Sequence, residues 1–328
     1  MHFKFKKQQY QADAAKAVCD VFEGQPNANP LAFLRDLGTT TRRDGQAQIQ
    51  IGSDTGYGNA PIQLTSDRLL VNARRVQRAN QIAESSALSA GIGGVCLDVE
   101  METGTGKTYT FIKTMYELNK VYGFKKFVIV VPSVAIREGT MKNLAITREH
   151  FAQDYENVPC VPILYDSARL NDLRHFAQSD ALSVLVINID SFAKDGNKIK
   201  QQGERAFAPI EYIRAINPIV IVDEPQNFET EIRQKALRDL NPLCTLRYSA
   251  THRNTYNLLY SLGPVQAYDM GLVKQIEVDG VTGHDGHNQA YIELLEIGAG
   301  AKSMNARVRM DVNGKNGVLR KEIRIRPG

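Results

Sequence analysis

The sequence predicts an α/β protein: a mostly parallel, doubly wound sheet followed by a small antiparallel β-rich segment. Three observations carry this expectation. Short runs at 95–99, 127–131, 184–189, 219–222 and 245–248 are apolar on both faces, as strands covered by helices on both sides should be. Stretches of helical periodicity separate most of them, and strand–helix alternation of this kind builds parallel sheets. A glycine-rich loop joins the first run to the helix that follows it.

In chain order, residues 10–22 carry Ala14, Ala17, Val18, Val21 and Phe22 on one stripe, which predicts a helix. Residues 24–66 are rich in Gly, Asn, Thr, Gln and Asp, and read as a long irregular insertion with a short hairpin around 47–51. Residues 67–86 return to helical spacing through Leu69, Leu70, Ala73, Val76 and Ile82. The five runs follow, with 161–165 as a further strand and 109–120 as a helix whose inward residues are Phe111, Met115 and Leu118. Beyond Met270 the pattern becomes glycine-punctuated alternation at 291–297, 306–312 and 318–325, which predicts antiparallel strands. The expected division is a domain over 1–270 and a β-rich segment over 271–328.

Composition narrows the class. A chain of 328 residues with 43% hydrophobic residues can build a real core, which excludes global disorder. A net charge of +4 is compatible with a nucleic-acid partner without arguing for one. Cys19, Cys96, Cys160 and Cys244 are scattered without a CxxC pair, which suits buried thiols rather than a disulfide frame or zinc site. The charged N-terminus has no apolar run behind it, and no stretch approaches membrane-span length, so the expectation is a cytoplasmic protein with no membrane partner.

Two motifs carry the chemistry. Met101-Glu102-Thr103-Gly104-Thr105-Gly106-Lys107-Thr108 follows a predicted strand and opens a predicted helix, the context of a phosphate-binding loop. Its glycines let successive N–H groups face one anion, and the helix N-terminus adds its dipole. Lys107 would reach the β- and γ-phosphates, and Thr108 would hold Mg²⁺ through its hydroxyl. Met101 stands where the strict pattern has glycine, which points to the variant loop of helicase-like ATPases. Asp223-Glu224-Pro225-Gln226 follows the apolar run 219–222, where an open parallel sheet presents ligands. Asp223 would bind magnesium while Glu224 takes a proton from attacking water.

Other features depend on these two. Ser249-Ala250-Thr251 ends the run 245–248 and could hydrogen-bond the Asp-Glu segment, coupling the nucleotide to a bound strand. Gln11 has an amide suited to the adenine edge, with Gln8 and Gln9 as rivals. Pro132, Ser133 and Arg137 follow the second strand and could meet a nucleic-acid phosphate; Asp190-Ser191-Phe192 could serve the same face. His284 and His287 have no acidic or cysteine partner at metal spacing and read as loop residues. Lys302, Arg307, Arg309, Lys315, Arg320 and Lys321 read as a solvated basic sheet face.

Together METGTGKTYTF, VPSVAIREGTMKNL, IVIVDEPQNFET, LRYSATHRN and AYDMGLVKQIEVDG resemble the N-terminal part of the Res (restriction) subunit of type III restriction-modification enzymes, in helicase superfamily 2. The resemblance implies a RecA-like P-loop domain, ATP and Mg²⁺ as cofactors, and ATP hydrolysis coupled to action on double-stranded DNA. It also implies DNA cleavage with a methyltransferase (modification) partner. By position, Lys107, Thr108, Asp223, Glu224 and Gln226 match the hydrolytic motifs, Thr103, Gly104, Thr105 and Gly106 the loop, Ser249 and Thr251 the coupling motif, and Gln11 the adenine-reading glutamine. Family members are far longer, so a second motor domain and the nuclease are expected beyond Gly328, and the chain reads as truncated. Efficient turnover is not expected without the second domain, whose arginine can be worth roughly a thousand-fold or more. The alternatives are a general superfamily 2 translocase or helicase fragment and a non-catalytic nucleotide- or DNA-binding remnant.

Overall fold

The runs that are apolar on both faces form one buried parallel sheet. The computed structural model describes residues 5–36, 39–41, 47–49, 53–202, 208–274, 291–300, 303–314 and 317–325. His284 and His287 lie outside the described residues. The chain divides into two compact units, Met1–Gln275 and Ile276–Gly328.

In the first unit the elements are α1 (Gln9–Val21), β1 (Leu31–Asp36), β2 (Thr39–Thr41), β3 (Ala47–Ile49), β4 (Ser53–Gly58), α2 (Ser66–Ala79), β5 (Val95–Met101), α3 (Lys107–Tyr122), β6 (Lys126–Val131), α4 (Val134–Asp154), β7 (Cys160–Leu164), α5 (Asn171–Gln178), β8 (Leu182–Asn188), α6 (Ile210–Ala215), β9 (Ile219–Asp223), α7 (Glu231–Arg238), β10 (Cys244–Ser249), β11 (Leu258–Leu262) and α8 (Pro264–Asp269). The central sheet runs β11-β5-β10-β9-β6-β8-β7, and every neighbouring pair is parallel. Its residues alternate between two apolar cores. Leu97, Val99, Phe127, Ile129, Ile219 and Ile221 join the core that includes α1, α2, α3 and α4. Val128, Val130, Val220 and Val222 join the other, with α5, α6 and α7. Helices therefore cover both faces, as the doubly wound expectation required.

After β5 the chain crosses to β6, and only later do β9 and β10 fill the gap between them. In an open parallel sheet, ligands bind at the carboxyl ends of the strands near such a reversal. The phosphate-loop candidate ends β5 and the Asp-Glu pair ends β9, so β10 and its terminal Ser249 lie between them.

Three details differ from the sequence reading. Residues 24–66 hold more pairing than the short hairpin expected around 47–51. β1 and β4 form an antiparallel ribbon from Leu31↔Gly58 to Asp36↔Ser53, and β2 pairs with β3 as the hairpin inside it. Asn59 fixes this ribbon to the domain, donating to the Lys126 carbonyl at 2.8 Å and accepting from the Lys125 and Lys126 N–H groups. The second predicted helix stops at Ala79 rather than 86, because Gln81 takes a left-handed φ of 57° and Gln77 turns back to bond Ser85. Finally, β11 is an added edge strand that, among the described residues, pairs only with β5. Its mixed exposure hid it among the fully buried runs.

The second unit holds β12 (Ile292–Gly300), β13 (Ser303–Gly314) and β14 (Gly317–Ile325), the expected antiparallel sheet, in the order β12-β13-β14. One face is laced by ion pairs of Arg309 with Glu293 and Glu322 and of Arg320 with Asp311.

Candidate nucleotide site

The loop after β5 is shaped by its own polar groups. Met101 is the last residue of β5 and wholly buried in the core, which accounts for a large apolar side chain at the first motif position. Glu102 then turns the chain: its carboxylate accepts from Thr103 N–H at 2.7 Å, and its carbonyl accepts from the Thr105 hydroxyl at 2.6 Å. Gly104 and Gly106 have φ of +86° and +89°, a left-handed conformation that costs other L-residues about 1–2 kcal/mol. Gly106 caps α3, and Lys107 and Thr108 stand on its first turn. The Tyr10 hydroxyl and the Gln11 amide both donate to the Thr105 carbonyl at 2.9 Å. Gln11 thus uses one of its two N–H donors to hold the loop, and Tyr10 is a loop-holding residue that the sequence reading missed.

Across β10, Asp223 ends β9 with only 6% exposure. Burial pushes its carboxyl up to about 6, with the neighbouring Glu224 adding to the rise and Lys107 opposing it. Glu224 sits at φ 55°, ψ 62°, a left-handed conformation unusual for a side chain of this size, and its N–H donates to the Tyr248 carbonyl at 2.9 Å. The turn delivers its carboxylate to Lys107, whose Nζ lies 3.1 Å from Oε1 and also donates to the Met101 carbonyl at 3.4 Å. The Gln226 amide donates to Glu224 Oε2 at 2.7 Å. Ser249 Oγ is 2.9 Å from both Gln226 Oε1 and the Thr251 carbonyl, and 3.3 Å from Glu224 Oε2. One hydroxyl proton can serve a single acceptor at a time, so Ser249 can exchange partners without moving far.

Lys107, Glu224, Gln226, Ser249 and Thr251 therefore form one network, with Asp223 beside it and Gln11 bracing the loop. Pro132, Ser133 and Arg137 belong to a different place, the carboxyl end of β6. The Ser133 hydroxyl caps α4 by accepting from Ile136 N–H at 3.3 Å. Arg137 donates to the Tyr165 carbonyl at 3.2 Å and pairs with Glu138 at 3.0 Å. It lines a cavity of about 560 Å³ shared with Arg169, Lys198, Ser191 and Asn197.

The residues fit a magnesium nucleotide. A Cβ added at Gly104 would meet nothing within 4 Å, so the loop is open where phosphates would approach. The raised carboxyl of Asp223 marks a buried acid short of positive charge, which a divalent ion beside it would supply.

The family model for "Type III restriction enzyme, res subunit" matches residues 4–254. The chain belongs to this family. Among curated Res subunits it is 30% identical over 240 residues to that of EcoP15I from Escherichia coli and 32% identical over 240 residues to that of EcoPI from Escherichia phage P1. Each match covers 66% of this chain and 25% of the relative, so the chain spans about a quarter of the length of these Res subunits. Among solved structures it is similar to a nuclease-deletion mutant of the Type ISP restriction-modification enzyme LlaGI with a DNA substrate mimic, at 16% identity and TM-score 0.37, covering 64% of this chain and 21% of that one. It is also similar to the SWI2/SNF2 ATPase core of Sulfolobus solfataricus with double-stranded DNA, at 15% identity and TM-score 0.33, covering 60% of this chain and 33% of that one. The Res family resemblance read from the motifs is thus shown. No helix among the described residues of this Res-family chain is long and apolar enough to cross a membrane.

Proposed function

We propose that this chain binds Mg·ATP at the loop 101–108 and forms the hydrolytic half of a restriction motor acting on double-stranded DNA. The observation that carries the reading is the Lys107–Glu224 pair at 3.1 Å with the buried Asp223 beside it. A lysine, a carboxylate able to carry a proton and a buried acid suited to a cation are the groups that phosphoanhydride hydrolysis uses.

Magnesium, held by Thr108 and Asp223, would supply charge compensation at the phosphates. Lys107 would bring its ammonium to the β- and γ-phosphates, joined by the N–H groups of the loop and the start of α3. Glu224 would accept a proton from water at its carboxylate, oriented by the Gln226 amide. Ser249 would report the state of that carboxylate to Thr251 by exchanging hydroxyl partners. Gln11 would read the adenine edge with its remaining amide atoms while holding the Thr105 carbonyl.

The cavity lined by Arg137, Arg169 and Lys198 supports a duplex phosphate contact on the same edge of the sheet, where a phosphate would compete with Asp166 for Arg169 and with Glu138 for Arg137. Double-strand cleavage and a methyltransferase partner belong to the whole assembly implied by the family, and we propose them only for that assembly. Titration calorimetry of Mg·ATP into the parent chain and Lys107→Ala tests the nucleotide reading.

A further inference from the structure

The second face of the sheet carries charged side chains beside the phosphate-loop strand. There β5 presents Asp98 and Glu100, and β10 presents Arg247 and Ser249. The ladder sets Asp98 opposite Arg247 and Glu100 opposite Ser249. The loop from Ala250 to Asn257 covers these groups. Arg247 lies 3.4 Å from Asp98, donates to the Asn254 carbonyl at 2.8 Å and stacks 4.4 Å from the centre of the Tyr256 ring. Tyr256 N–H donates to Asp98 at 2.7 Å. One end of the loop is thereby fixed to β5.

The other anchor is His252, immediately after Ser249-Ala250-Thr251. Its backbone N–H donates to Glu100 Oε1 at 3.4 Å. Its imidazole is fully enclosed, and Nδ1 stands 3.7 Å from the same carboxylate oxygen. Neither ring nitrogen makes a hydrogen bond among the described residues. Burial, opposed by Asp98 and Glu100 and reinforced by Arg247, holds the imidazole below its usual value. The other Glu100 oxygen accepts from the Ser261 hydroxyl of β11 at 3.1 Å. A buried N–H donor that stops just beyond hydrogen-bonding distance of a carboxylate is a bond a small loop movement would close. Ser249, which begins the segment, has alternative acceptors in Glu224, Gln226 and Thr251.

We propose that His252 is a positioning residue for the Ser249–Thr251 segment when Mg·ATP is bound. In a second arrangement of the loop its Nδ1–H bonds Glu100, locking the Ser249–Thr251 segment to the strand that leads into the phosphate loop. This rests on the reading of that loop as an ATP site.

The test measures amide hydrogen exchange across 249–257 in the full chain, with and without Mg·ATP, after calorimetry has established binding. Saturating nucleotide should slow exchange at these amides in the parent. Protection should be lost in His252→Ala and Glu100→Leu, which remove the donor and the acceptor, while nucleotide affinity is kept. His252→Asn should restore it, because the asparagine amide nitrogen falls where Nδ1 does, and His252→Gln should not. Equal protection in the parent, His252→Ala and Glu100→Leu would overturn the proposal, as would a parent that binds Mg·ATP without any protection. A parent that fails to bind Mg·ATP would instead overturn the nucleotide reading beneath it.

Discussion

The ammonium of Lys107 and the carboxylate of Glu224 stand 3.1 Å apart, reaching past the end of β10 from the loops that follow β5 and β9. Their side chains are 11% and 25% exposed, so the pair is only moderately screened by water. An entering phosphate must compete with Glu224 for this lysine. Glu224→Gln removes the competitor and a negative charge, and should tighten Mg·ATP binding by about 1 kcal/mol, roughly fivefold, even as it removes the proton acceptor. Calorimetry showing weaker binding would contradict a competing pair.

Asp223 is predicted to destabilise the metal-free fold. Its folded value of about 6 lies above the ordinary carboxyl value, so the folded state holds this proton more tightly than the unfolded chain. The contribution to stability is therefore most favourable below the unfolded value. It declines as pH rises towards 6 and stays at the lower level above that. Asp223→Asn should raise stability at pH 7 without magnesium, by as much as about 3 kcal/mol. It should also lose the magnesium-dependent part of nucleotide affinity. Urea unfolding between pH 4 and 8 reads the first effect.

Gly104 and Gly106 have nearly the same φ, but a side chain at each would meet different surroundings. Alanine at either should cost about 1–2 kcal/mol from backbone strain. At Gly106 the new Cβ would also lie 2.5 Å from Gln11 Nε2 and push the amide off the Thr105 carbonyl. Gln11→Ala should then be additive with Gly104→Ala and less than additive with Gly106→Ala. A double-mutant cycle in denaturant checks both.

Arg137 lines the cavity at the end of β6 with Arg169 and Lys198, away from the Lys107 network. If the cavity meets a duplex phosphate, Arg137→Ala should weaken DNA binding by a similar factor for unrelated sequences. It should also reduce the slope of log affinity against log salt by about 1. Fluorescence anisotropy at several salt concentrations measures this, and an unchanged slope would remove Arg137 from the contact.

Much of this was legible in the sequence, for identifiable reasons. The central strands were visible because burial on both faces leaves no room for polar residues, as in Ile219–Asp223 before its terminal acid. Lys107, Asp223 and Glu224 were visible because strand ends fix where such groups must stand. The ribbon at 31–58 was not, since β4 is rich in polar residues and glycine and the pairing spans a long loop. β11 escaped because an edge strand needs only partial burial. The hydrogen bonds of Tyr10 and Gln11 to Thr105 and the enclosure of His252 against Glu100 join residues far apart in the chain. No local pattern announces contacts of that kind.

The central claim is that Lys107 holds the phosphates of a magnesium nucleotide. Titration calorimetry of Mg·ATP into the parent chain and Lys107→Ala, with folding of both checked by circular dichroism, tests it most directly. The account predicts saturable binding by the parent and its loss in the folded variant. Equal affinity in the two, or no binding by the folded parent, would contradict it.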